Sequence, residues 1–135
     1  MIAHARPLPR ETALNLPFWD GCRAGVLRLQ RCLSCQQPVF YPRVCCPHCG
    51  HGELAWFDAS GQGVIASWTV IHRPGHESFM ADVPYIFAAV TLAEGPVMYG
   101  RLHLAADETP GIGLAVTAVF DRVAGGIVLP AFQTS

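Results

Sequence analysis

Two Cys-x-x-Cys pairs, Cys32/Cys35 and Cys46/Cys49, stand with ten residues between them in the stretch Arg31-Cys-Leu-Ser-Cys-Gln-Gln-Pro-Val-Phe-Tyr-Pro-Arg-Val-Cys-Cys-Pro-His-Cys-Gly50. A pair at this spacing makes a tight knuckle, and the hairpin between two knuckles brings four sulfurs to one tetrahedral zinc ion. A redox Cys-x-x-Cys comes singly, at a helix start after a strand, whereas these two flank a proline-containing hairpin. Structural zinc is therefore the expected cofactor, worth about 10–16 kcal/mol of apparent binding energy to a segment too short to hold itself. Cys45 and Cys46 are adjacent, but only Cys46 keeps two residues between ligands. Cys45 and Cys22 are then expected to be buried free thiols, with His48 and His51 as exposed polar neighbours. Four protein ligands leave no open position for water, so the metal is not expected to be catalytic.

At 135 residues the chain has room for a small metal-stapled module followed by a compact barrel. No signal-like apolar run stands in the first ten residues, and no stretch reaches the roughly 18 apolar residues of a membrane helix. These features predict a protein of the reducing cytoplasm with no membrane partner. The net charge of −1 and pI near 6.6 provide no basic field for a nucleic-acid backbone. Hydrophobic residues make up 51% and charged residues 14%, which predicts a surface covered by a partner. All nine basic residues are arginine, the better fork for phosphates and carboxylates.

Residues 1–15 read as a flexible arm, 16–58 as a helix and zinc ribbon, and 59–135 as a barrel. Asn15 is placed to cap the helix, Pro17 suits its first turn and Gly25 its end. Phe18, Trp19 and Cys22 share a face expected to dock on the chain's own core or on a second subunit. From Val26 to Arg31 the period becomes two, with Leu27 and Leu29 facing one way and Arg28 and Gln30 the other. A strand at 53–58 leaves the ribbon. Five more, at 62–71, 84–93, 97–104, 114–123 and 126–132, match an OB-type barrel, with hairpin turns at 94–96 and 124–126. Trp68, Tyr85, Phe87 and Tyr99 are assigned to the barrel core. The long loop 72–83 carries His72, Arg73 and His76, which are expected to meet an anionic group on a ligand or partner. No phosphate loop, Gly-x-Ser-x-Gly elbow or His-Glu-x-x-His motif is present.

Phe18-Trp19, Arg31-Cys32, Phe40-Tyr-Pro-Arg43, Cys46-Pro-x-Cys49 and Gly50 resemble the N-terminal ribbon of the acyl-CoA-associated zinc-ribbon/OB-fold family, catalogued as domain of unknown function thirty-five. Ser60-Gly-Gln-Gly-Val64, Pro84-Tyr85, Leu92-x-Glu94-Gly95-Pro96 and Gly113-Leu-Ala-Val116 are similar to its second half, and the likeness runs over residues 16–132. Gln36 stands where glycine commonly follows the second cysteine, and Tyr41 where a proline is common. The resemblance implies a mostly β fold: a docking helix, a rubredoxin-like zinc ribbon and a five-stranded OB barrel. It further implies a non-catalytic subunit that joins a thiolase-superfamily enzyme in a hetero-oligomer and helps form or stabilise its acyl-CoA site. The competing reading is an OB-fold protein that binds single-stranded nucleic acid. A stand-alone enzyme using Cys22, Cys45 or a histidine lacks a base placed to activate it.

Overall fold

The computed structural model describes residues 7–123 and 126–134. Helix α1 (Leu16–Ala24) leads into β1 (Arg28–Cys32), which pairs antiparallel with β2 (Pro38–Val39) and β3 (Leu54–Asp58) to form the ribbon sheet. Strands β4 (Gln62–Ile71), β5 (Tyr85–Leu92), β6 (Val97–His103), β7 (Ala115–Arg122) and β8 (Val128–Thr134) close a barrel in the order β4-β5-β6-β8-β7. Only β6 and β8 run parallel; the other neighbours are antiparallel. This is the five-stranded OB arrangement expected from the strand spacing.

The helix begins with Pro17 in its first turn and ends at Gly25, whose φ of 77° is left-handed and lets its N–H reach back to Cys22 O. Asn15 departs from its expected role, because its side chain makes no cap to the helix. Its Oδ1 instead accepts the Thr12 N–H at 2.6 Å, and its Nδ2 donates to Arg10 O and Tyr41 Oη, each at 3.1 Å. Glu11 adds a 2.7 Å ion pair to Arg23. The stretch 10–15 is therefore held to helix and ribbon rather than free as an arm. Residues 1–6 of that arm lie outside the described residues.

Phe18, Trp19 and Cys22 are buried in one continuous cluster with Leu27, Leu29 and the barrel residues Ile65, Val90, Leu92, Met98, Leu102, Val116 and Phe132. Of the two expected destinations for the helix face, it is the chain's own core that receives it. At Gly21 a Cβ would lie 2.7 Å from Val26 O, so only glycine lets the helix pack this closely on the segment entering β1. Leu27 and Leu29 point inward as expected, but Gln30 is buried as well. Its amide tolerates burial because it donates to Arg43 O at 3.1 Å and accepts the Arg43 N–H at 2.7 Å.

Strand β4 spans the expected residues, and a bulge between Ile65 and Ser67 bends it around the barrel. Beyond that bulge it pairs with β5 alone, since its pairing with β7 covers Gln62, Gly63 and Val64. Strand β8 starts two residues later than the periodicity predicts. The reason is that Ile127 O accepts the Val123 N–H at 2.9 Å and so belongs to the turn. Part of the expected turn at 124–126, Ala124 and Gly125, lies outside the described residues. No helix among the described residues is long and apolar enough to cross a membrane.

Candidate metal centre and the aromatic face of the barrel

The two knuckles are built by reciprocal backbone turns. Gln36 N–H donates to Cys32 O at 2.9 Å, and Gly50 N–H donates to Cys46 O at 2.8 Å. Both turns need a left-handed residue, which is Gly50 at φ 79° in the second and Gln36 at φ 64° in the first. The glycine missing at position 36 therefore costs strain of about 1–2 kcal/mol rather than a ligand.

The Sγ atoms of Cys32, Cys35, Cys46 and Cys49 all lie within 4.8 Å of one another. Cys32 and Cys49 sulfurs are 3.5 Å apart, and those of Cys35 and Cys46 are 3.6 Å apart. A regular tetrahedron with Zn–S bonds of about 2.3 Å has edges of about 3.8 Å, so the donor set fits zinc. Cys35 N–H points at Cys32 Sγ from 3.4 Å and His48 N–H at Cys46 Sγ from 3.3 Å, an arrangement suited to thiolates. The first of these hydrogen bonds is the main reason that the Cys32 thiol is drawn down to about 6. Cys35 moves the other way, to about 12, because a backbone hydrogen bond at Gln37 is outweighed by burial and by the sulfurs of Cys46, Cys32 and Cys49. Four such sulfurs cannot all ionise together without a cation among them.

The adjacent Cys45 is exposed, contrary to the expectation of a buried thiol, since the turn that aims Cys46 inward aims its neighbour out. Cys22 is buried as expected, and burial first of all pushes its thiol up to about 12, which makes it inert. His48 and His51 are exposed. Within the ribbon, Gln30 of β1 clamps Arg43; the ribbon is tied to the rest by Asn15 on Tyr41 and by Phe18, which meets the rings of Phe40 at 5.8 Å and Tyr41 at 5.9 Å.

Phe18 and Trp19 are 2% and 5% exposed and pack into the chain's own core. His72, Arg73 and His76 lie on the loop after β4, and all three are exposed. His76 serves the loop itself, since its Nδ1 accepts the Ser78 N–H at 3.1 Å and caps the short 3-10 turn Glu77–Phe79. Beyond the cysteines, no cluster of three or more metal-ligating side chains occurs among the described residues.

Tyr85, Phe87, Tyr99 and Arg101 were not recognisable as a unit in the sequence. Register places Phe87 opposite Arg101 and Ala89 opposite Tyr99, so these side chains share the outer face of β5 and β6. Phe87 is 39% and Tyr99 63% exposed, and Trp68 is exposed too, so the expected core positions of these aromatics are overturned. Ile86, Ala88 and Val90 occupy the inner face in their place. The usable signal was the alternation Tyr85-x-Phe87 facing Tyr99-x-Arg101.

Residues 19–55 match the family model described as "ChsH2, rubredoxin-like zinc ribbon domain", and residues 56–121 match "ChsH2, C-terminal OB-fold domain". The chain is 31% identical over 128 residues to a Thermomonospora curvata protein named "Probable enoyl-CoA hydratase alpha subunit", covering 95% of this chain and 40% of that protein. It thus spans less than half the length of that relative. It is 32% identical over 103 residues to a "DUF35 domain-containing scaffold protein" of Methanocaldococcus jannaschii, covering 76% of this chain and 70% of that one. A solved structure described as "Ltp2-ChsH2(DUF35) aldolase" superposes with a TM-score of 0.81 at 30% identity, over 94% of this chain and 98% of that chain. Ribbon and barrel together make this chain a member of the DUF35 family, with a rubredoxin-like zinc ribbon followed by an OB-fold domain.

Proposed function

We propose that this chain is a non-catalytic accessory subunit that binds a thiolase-superfamily enzyme and helps form or stabilise its acyl-CoA site. The observation that carries this reading is the superposition, over nearly the whole chain, on the chain from the Ltp2-ChsH2(DUF35) aldolase. The relatives' names, a hydratase subunit and scaffold proteins, point the same way. Cys32, Cys35, Cys46 and Cys49 would hold zinc, whose contribution is to fix the ribbon's shape. Thiolate ligation fits a reducing compartment, the cytoplasm. Chemistry internal to the chain has little support: Cys22 is buried with its thiol pushed up to about 12, and four of the other thiols belong to the ribbon cluster.

Co-expression of the chain with a thiolase-like enzyme from the same genome tests the reading. The expected result is one complex on a sizing column that survives dilution. Two clean peaks for every such enzyme in the genome would overturn it.

A further inference from the structure

The outer face of β5 and β6 bounds a groove of about 530 Å³, floored by Tyr85, Phe87 and Tyr99 and edged by Phe79, Arg101 and Arg122. Three observations give it a chemical character. First, it lies on the second and third strands of the barrel, between the loop that contains Phe79 and the loop after β7. This is the face on which OB barrels take oligonucleotides and sugars. Second, the Phe87 and Tyr99 rings are parallel to within 6° with centroids 6.1 Å apart, and both are open to solvent. Stacked on each other in this way, they leave aromatic ring surface open for a further flat group. On the same face the Arg101 guanidinium lies 4.0 Å over the Tyr85 ring and is fixed there by a 2.9 Å ion pair to Asp82. Third, the two arginines differ in what they have left to give. Asp82 neutralises Arg101, whereas Arg122 is exposed and makes no ion pair among the described residues.

We propose that this groove is a shelf for a single purine nucleotide, with its base stacked on Phe87 and Tyr99 and a phosphate held by Arg122. Stacking of a base on an aromatic ring needs no hydrogen-bond readout. A strand of nucleic acid is disfavoured because a polymer site needs a run of cations, and Arg122 is the one unneutralised cation among the groove's described residues. The nucleotide end of coenzyme A and a free mononucleotide offer the same chemistry. The coenzyme source rests on the accessory-subunit reading; the shelf itself does not.

The test is calorimetric titration of the zinc-loaded chain with adenosine 3′,5′-bisphosphate, AMP and a twelve-residue oligothymidylate. Binding of a mononucleotide is expected, weakened about 5- to 100-fold in Tyr99→Ala. Arg122→Gln should weaken it as well and flatten its salt dependence. Both side chains are exposed, so unchanged melting and zinc content will show that the variants fold. Preference for the bisphosphate identifies the coenzyme end as the source, and equal affinity identifies a free nucleotide; either supports the shelf. No mononucleotide binding at millimolar concentration, binding untouched by both variants, or much tighter binding of the oligothymidylate would overturn it. A failed titration alongside an intact enzyme complex would remove the shelf and leave the accessory role standing.

Discussion

In the barrel region, fourteen buried side chains from Phe18 to Phe132 form one continuous cluster, while the ribbon's own cluster consists of Cys32, Val39 and Cys46, with Cys35 and Leu54 packed against it. Burial of an aliphatic side chain contributes about 1.5–3 kcal/mol, so the ribbon's Val39 and partly buried Leu54 together supply a few kcal/mol. A structural zinc ion supplies about 10–16 kcal/mol. The two halves are thus held by different physics although they share a chain and touch through Phe18 and Asn15. The border between them does not follow the ribbon sheet: Leu27 and Leu29 precede or belong to β1 yet sit in the barrel's cluster. The comparison predicts that metal loss melts the hairpins around the cysteines and spares the start of β1.

The largest expected effect follows from removing the metal. Chelation, or Cys46→Ala, should abolish amide-exchange protection between Cys32 and Leu54 while β5, β6 and β8 stay protected; Cys45→Ala should leave zinc content and protection unchanged. Loss of protection throughout the barrel would erase the distinction between the two regions. The converse perturbation is Phe132→Ala, which should cost the barrel about 3–5 kcal/mol by opening its centre. Zinc should remain bound until the chain unfolds, as read by metal release during a denaturant titration.

Smaller changes sharpen the boundary. Gln30→Ala strips the partner from both backbone groups of Arg43, a loss of about 1–3 kcal/mol. Because the clamp lies within the ribbon, joining β1 to the hairpin between the knuckles, its loss should speed zinc release to a chelator more than it lowers the barrel's melting temperature. Gln36→Gly should give the smallest effect, a gain of about 0.5–1 kcal/mol in the ribbon, since glycine accepts the left-handed backbone at that position. Slower zinc release with an unchanged barrel melting temperature would show it.

Much of this was legible in the sequence, for local reasons. Cysteine spacing determines a knuckle whatever surrounds it, and β4 was readable to the residue because Gln62 to Ile71 is an uninterrupted strand-forming run. What was not legible depends on contacts remote in the chain. Asn15 looks like a helix cap, but its better partners are Arg10 O and Tyr41 Oη, the latter 26 positions away. Gln30 reads as a surface residue until Arg43 comes to meet it. The aromatics of β5 and β6 illustrate a further limit. Alternation separates the two faces of a strand, yet both faces of β5 are apolar, with Tyr85 and Phe87 on one and Ile86, Ala88 and Val90 on the other. Only the closure of the barrel decides which is inside. Cys45 was misplaced for a related reason: adjacency to a ligand says nothing about burial when the turn reverses direction between the two.

The central claim is that this chain contributes shape and a binding surface to another protein's chemistry. Its most direct test is acyl-CoA turnover measured for the chain alone, the thiolase-like enzyme alone and the two together, with the zinc-loaded protein. The account predicts no turnover by the chain, full turnover by the pair and reduced or unstable turnover by the enzyme without it. Turnover by the purified chain alone, abolished by Cys45→Ser, would contradict it.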